Sequence, residues 1–507
     1  MISTWRVILL VATLVAVAAR DIGAACKSTC TEELRACRAQ CHDATNRRAC
    51  RQQCADASTC TAPGVRARTV GYTVNECRQD ATGYWFHERL LVRRGNCDPV
   101  TVMDLTPVRS APDDLDICGL YGRLRSGTSG VVLGRFQRIG MTPDGTGLVI
   151  EITNDHAVPL FAHLSPEPPE EGIFYMRTDG RDLPGGGKVR RVSAPSAVPI
   201  IDALLTPVGG PVFAISPNNR IVAFEDLGPD ADGQIAPQVF VIDLATDQGK
   251  KQITRLPPAL PDARQTGSIF FAGEQTVQFW NGTGGERFTV ETDGKSPPRP
   301  IPSSVTVPGA VIPEFAVAGK GTSILPVHFP DRTPVDGYQG DPFVREEFVL
   351  DGPRVVQLTT FGFRDTGFVS TIGRNRLYFS ASANPDHNQN PQGICQIFSV
   401  SPLGGRLRQI THFPEDGRPK NGCRPIFLQP SACTMEGLAA DPVTGALVFR
   451  SSCDPLGRAR NGEQFFAMRP DGTGLRQTSD FQGVEPLPDG GVTVEMPGVA
   501  AYSFVVR

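Results

Sequence analysis

The chain is short of charge and of long apolar runs. Only 20% of its 507 residues are charged, lysine is scarce beside arginine, and 50 Lys+Arg against 53 Asp+Glu leave a formal net charge of −3. With no long run of either sign there is no extended footprint for a phosphate backbone or an anionic lipid surface, so nucleic acid is not expected as a partner. The apolar run Val7 to Ala19, behind Arg6, falls short of the ~20 residues a spanning helix needs. It reads as a cleavable export signal over residues 1–25, and no transmembrane segment is expected in the mature chain. Cleavage fits after Ala18 or after Ala25, the second giving a mature chain that starts at Cys26. Lipid anchoring at Cys26 is the lesser reading, because Gly23 stands where such signals carry leucine. The expected location is secreted or periplasmic.

Catalytic signatures are absent too. There is no G-x-S-x-G elbow, and the seven histidines show neither H-x-H nor H-E-x-x-H spacing. Asp230-Ala-Asp-Gly233 and Asn384-Pro-Asp-His-Asn388 resemble pieces of calcium loops but lack the closing acidic residue, and they read as turns. No cofactor and no metal is expected.

What the chain does have is glycine (53), proline (44) and cysteine (14). Ten cysteines fall between Cys26 and Cys118 and four between Cys395 and Cys453, even numbers that in an exported chain favour disulfides. Cys26 and Cys30, Cys37 and Cys41, and Cys50 and Cys54 are each four apart, which on a helix puts both sulfurs on one face. Residues 26–62 are therefore expected to form a disulfide-stapled α-helical hairpin, with His42 to Asn46 as its turn. Zinc on Cys41 and His42 is the alternative, disfavoured by an oxidising compartment. Residues 63–130 carry three strands, Val70 to Val74, Tyr84 to Val92 and Val100 to Met103, expected as a small β module that caps the rest. For the late group, Cys423 is expected to pair with Cys433 and Cys395 with Cys453. The rival pairing is Cys395 with Cys423 and Cys433 with Cys453.

From residue 131 the sequence repeats itself. One segment is a turn and then an apolar strand, as in Thr142-Pro-Asp-Gly-Thr-Gly-Leu-Val-Ile150, Ser216-Pro-Asn-Asn-Arg-Ile-Val-Ala-Phe224 and Pro488-Asp-Gly-Gly-Val-Thr-Val494. The other is a strand running into a turn, as in Ile173-Phe-Tyr-Met-Arg-Thr-Asp-Gly180, Phe465-Phe-Ala-Met-Arg-Pro-Asp-Gly472 and Tyr502-Ser-Phe-Val-Val506. Each type occurs seven times. A short strand ending in a hydroxyl follows five of the second type: Val189-Arg-Arg-Val-Ser193, Gln252-Ile-Thr254, Gln357-Leu-Thr359, Gln409-Ile-Thr411 and Gln477-Thr478. Such units bury their faces only against one another, so they point to an all-β propeller of seven blades, with six or eight as alternatives, at about 54 residues per repeat. Gly130 to Phe136 is expected to close the ring by filling the edge of the last blade.

The turn, the I-F-x-M-x-x-D-G strand and the R-Q-I-T ending resemble the TolB-like, WD40-like β-propeller repeat over most of residues 131–507. That resemblance implies a non-enzymatic scaffold of the bacterial envelope that binds a protein or a small extracellular ligand. A channel enzyme of lactonase or lyase type is the alternative, with His156 and His163 as its first candidates.

Overall fold

The computed structural model describes residues 29–42, 44–57, 67–80, 83–105, 108–110, 136–152, 172–183, 186–193, 213–246, 248–257, 266–281, 286–301, 324–328, 347–351, 354–359, 361, 366–374, 376–384, 390, 393–413, 435–441, 443–451, 456, 463–486 and 492–504. Among these, strands Phe136–Met141, Gly147–Ile152, Gly172–Arg177 and Val189–Ser193 form a first antiparallel sheet, and Phe213–Ile215, Ile221–Pro229, Ile235–Asp243 and Lys251–Gln252 a second. The third holds Thr266–Phe271, Thr276–Asn281, Glu286–Glu291 and Arg299–Pro300, and the fourth Ile324–His328, Glu347–Asp351 and Arg354–Gln357. Thr366–Gly373, Arg376–Ala381, Gln396–Val400 and Arg408–Gln409 make the fifth, and Met435–Ala440, Leu447–Ser451, Gln464–Met468 and Arg476–Gln477 the sixth. In each, strands adjacent in sequence are adjacent in the sheet.

Three local devices repeat. Ser216 closes the turn before its strand, its hydroxyl accepting from the Ile221 amide at 2.8 Å, as the Thr142 hydroxyl does from Gly147 at 2.8 Å. Next, the two recurrent phenylalanines meet across the second and third strands: Phe224 with Phe240, Phe279 with Phe288, Phe379 with Phe398 and Phe449 with Phe466 are register partners. Their rings stack at 5.5–6.1 Å. Burying each such ring stabilises the ring of sheets by roughly 1.5–3 kcal/mol. Third, a glutamine on the third strand clasps a hydroxyl two residues beyond the fourth. Gln396 Oε1 accepts from Thr411 Oγ1 at 2.8 Å and from the Phe413 amide at 2.9 Å, its Nε2 donates to the Phe413 carbonyl, and Thr411 accepts from the Ile397 amide. Gln238 with Thr254 and Gln464 with Ser479 repeat the set. In the sixth sheet the hydroxyl in this role is thus Ser479, one residue beyond the expected Thr478.

Neighbouring sheets pack through these faces. Gly140 lies so close to Phe213 that a Cβ would come within 2.5 Å of its ring, and Gly373 sits as close to Ala440. Phe361, following the fourth sheet, packs on Phe379 and Phe398 of the fifth at 6.1 and 5.8 Å. The second and third sheets share a core of Ala223, Val239, Ile269, Val277 and Phe279. The junction of third and fourth sheets lies outside the described residues.

A seventh sheet joins the chain's two ends, and here the expectations need correction. Its strands run in the order Gly483–Pro486, Val492–Phe504, β1 (Ala67–Asp80), β2 (Gly83–Arg94) and β3 (Val100–Asp104), with β4 (Val108–Ser110) also on β2. Strands 67–104 are therefore not a cap: β1 pairs along its length with Val492–Phe504, Tyr72 opposite Ala500 and Cys77 opposite Val494. Phe136–Met141 is the first strand of the first sheet and does not close the ring. Val492–Phe504 is also one strand rather than two, because a register shift between Tyr72 and Val74 absorbs Gly498-Val499 while Pro497 stays opposite Val74. The closing sheet packs on the sixth through Tyr72, Phe465 and Tyr502 and on the first through Leu90, Leu148 and Ala501. Repeated antiparallel meanders packed face to face, sealed by a sheet shared between the ends, make this a β-propeller.

The amino-terminal segment folds as two helices, α1 (Thr29–Gln40) and α2 (Arg47–Ala57), with Asn46 Oδ1 accepting from the Ala49 amide to cap α2. Cys37 is bridged to Cys54 and Cys41 to Cys50. Cys41, Cys50 and Cys54 bring their sulfurs together, and all three are held in these bridges. Cys30 falls within α1, and Cys26 lies outside the described residues. Cys395 and Cys97 are disulfide-bonded, and Cys423, Cys433 and Cys453 lie outside the described residues. No described helix is long and apolar enough to cross a membrane.

Candidate binding rim

A meander joins its strands at alternate ends. In the four-stranded meanders the first-to-second and third-to-fourth turns share one end of the ring, while the second-to-third connection and the crossing to the next sheet share the other. In the fourth sheet Glu347–Asp351 holds the third-strand place, the Glu347 amide donating to Thr359 Oγ1 as the Ile397 amide does to Thr411. The turns at the first end are tight, such as 142–146, 216–220 and 469–474. Connections 153–171, 194–212, 329–346 and 414–434 all join strand ends on the second side. His156 and His163 fall in the first of these and lie outside the described residues.

The closing sheet extends towards that second side. At the tight-turn end it is pinned by Ser503 Oγ donating to the Pro143 carbonyl at 2.6 Å and by Arg94 Nη2 donating to Thr178 Oγ1 at 3.1 Å. Gly145, at a φ of +73°, permits this approach, since a Cβ there would lie 2.7 Å from Thr69 Oγ1. From this anchor residues 67–74, 88–94, 100–104 and 500–504 complete the ring. Residues 75–80, 83–87 and 492–497 then run on beyond it, flanked by Gly483–Pro486 and β4, as an arm at the long-connection end.

One face of this arm carries a row of titratable groups. The register sets Glu495, Glu76 and His87 side by side on three adjacent strands. His87 Nε2 lies 2.5 Å from Asp104 Oδ1 and its Nδ1 lies 3.4 Å from Glu76 Oε2. Arg89 donates to Glu76 Oε1, and the Trp85 ring stands 5.3 Å from the imidazole. Burial holds the Glu495 carboxyl above its ordinary range; a hydrogen bond from the Gln482 amide opposes this, and the nearby Glu76 and Asp480 add to it. The cluster has more carboxylates than cations and is partly open, Asp104 keeping 58% of its side chain exposed. Such a surface favours cationic groups on whatever meets it.

A second protrusion on this side is the hairpin of the second sheet, whose strands are nine residues each. Leu227 and Ile235 near its tip are 52% and 68% exposed. Asp230 closes that tip by accepting from the Asp232 and Gln234 amides at 2.9 and 2.8 Å, so Asp230 to Gly233 is a turn. Asn384, the first residue of the other fragment, accepts from the Asn390 amide at 3.0 Å. Of the described histidines with defined partners, His87 faces carboxylates and His412 faces the Gln409 amide; neither meets a hydroxyl nucleophile. Sequence reading missed the arm cluster: Glu76 and His87 meet across the β1–β2 pairing, but Glu495 joins them only through the pairing of β1 with Val492–Phe504.

No family model matches the chain, and no curated protein matches it. Solved structures do. The β-propeller domain of the trilobed protease from Pyrococcus furiosus, described as having an open velcro topology, is 10% identical over 82% of this chain and 95% of that one, with a TM-score of 0.43. TolB from Acinetobacter baumannii is 12% identical over 87% and 68%, with a TM-score of 0.33. Prolyl oligopeptidase B from Galerina marginata is 11% identical, and 85% of this chain matches 55% of it at a TM-score of 0.41. Scores this low leave the sheet topology itself as the ground for the fold.

Proposed function

We propose that this β-propeller is an exported, TolB-like binding scaffold rather than an enzyme, and that it presents its long-connection rim to a protein or a small extracellular ligand. The observation that carries this reading is the asymmetry of the ring. Tight turns sit at one end; the longest connections, the arm and the exposed Leu227 and Ile235 gather at the other. Large apolar side chains raised on a rim and flanked by charge are the usual make-up of an interaction surface. Export accords with residues 1–25 and with the paired cysteines at 37, 41, 50 and 54.

Photo-crosslinking probes at Leu227 and Ile235 on the long rim, and at Leu403 and Val443 on the other, test the reading in intact cells. Adducts of one defined species from the long rim alone are expected; equal capture from both rims overturns it. Removing residues 2–25 tests export separately, and should leave the chain inside the cell with its cysteines open to alkylation.

A further inference from the structure

We propose that the disulfide-stapled hairpin carries a second binding site, a cleft lined by Arg35, Arg38 and Arg51 that takes a multiply charged oxyanion, a phosphate or phosphomonoester. The cleft has a volume of about 440 Å³, and Ala39 is the remaining lining residue. Arg35 and Arg38 stand one turn apart on α1, and Arg51 faces them from α2, directly after Cys50.

All three arginines are exposed, and among the described residues none has an acidic partner. Glu32 and Glu33, the acids within α1, are exposed and make no ion pair with them. Charge balance over the whole chain, formally −3, conceals this local excess.

Three guanidinium forks around one cleft offer only donors, and they repel one another until something negative lies between them. A carboxylate satisfies one fork. A phosphate with three free oxygens presents an edge to each of two or three, which is the geometry arginine recognises best. The two bridges supply the preorganisation. Cys37–Cys54 and Cys41–Cys50, each with Cα atoms 5.7 Å apart, fix α1 against α2 on either side of Arg38 and Arg51. Little backbone ordering is then left to oppose binding. Arg47 and Arg48 extend the basic surface along α2.

The test uses the full-length oxidised protein at low ionic strength with two probes, tripolyphosphate measured by calorimetry and phosphatidylcholine vesicles with or without phosphatidic acid measured by flotation. Binding of tripolyphosphate alone identifies a free oxyanion as the source; binding to phosphatidic acid vesicles and not to neutral ones identifies a lipid headgroup; either supports the site. The R35Q/R38Q/R51Q variant should bind the effective probe at least about tenfold more weakly, with its disulfides unchanged by peptide mapping. The R255Q/R299Q variant, which removes two exposed arginines from the propeller, should bind as the wild type does. Failure of both probes to bind, undiminished binding by the triple variant, or an equal loss in the propeller variant overturns the proposal.

Discussion

Gln396 shows how much of a sheet's stability rests on one polar side chain. It is 2% exposed, and its amide serves the Thr411 hydroxyl, the Phe413 amide and the Phe413 carbonyl at once. Gln396→Leu removes all three bonds and strands their partners, so a loss of about 2–3 kcal/mol is expected in urea unfolding. Thr411→Val, which removes the hydroxyl and leaves the methyl bulk, should cost less; equal and negligible effects for both would show that the clasp is idle. Glu495 makes the opposite case. Its folded-state pKa is raised by burial above the ordinary 4.5, so folding takes up a proton. Relative to an unperturbed carboxyl, the group favours the fold below the ordinary pKa and opposes it as pH rises through the raised one. Glu495→Gln keeps an oxygen for the Gln482 amide and should melt higher than the parent at pH 8, with the advantage fading towards pH 4. A lower melting temperature at pH 8 would contradict the assignment.

At the scale of the element, what the sequence disclosed was whatever repeats locally. The paired phenylalanines, the hydroxyl-closed turns and the Q-I-T endings recur at fixed offsets, and each is satisfied within its own sheet. The closing sheet was not legible. Its strands 67–104 read as strands, yet hydrogen bonding between distant backbones leaves no mark in either segment, so they read as a cap and not as partners of Val492–Phe504. Pro488 to Val494 and Tyr502 to Val506 read as two segments for the same reason: only the pairing with β1 shows one strand with a bulge at Gly498-Val499. Glu76, His87 and Glu495 were invisible as a group on the same account. The corrected topology predicts two truncations. Loss of residues 1–62 removes the hairpin and should change the propeller's melting temperature little, whereas loss of residues 1–95 removes two strands of the closing sheet and should abolish cooperative melting. A sharp transition in the longer truncation would place the seal elsewhere.

For the whole molecule, the described residues form seven sheets, and six sheet-to-sheet junctions are visible among them. Negative-stain averages viewed down the axis should therefore show seven spokes; six or eight would revise the account of the fourth sheet and its neighbours. Reduction gives a further check at this scale. In the loop-entropy model the 9- and 17-residue bridges of the hairpin each stabilise it by about 3 kcal/mol, more than so small a unit holds in reserve. Dithiothreitol should thus erase the helical signal of residues 29–57 while the ring persists.

The pairing of Ala67–Asp80 with Val492–Phe504 also sets an order in time. A chain made or threaded amino-terminus first delivers β1 and β2 early and the outer partner of β1 roughly 400 residues later. The first sheet, which packs on the closing one, has no finished neighbour on that side until the final strand arrives. Completion of the ring must wait until residues 492–504 have emerged, and until then β1 exposes an unpaired strand edge of the kind that chaperones hold and that other chains aggregate upon.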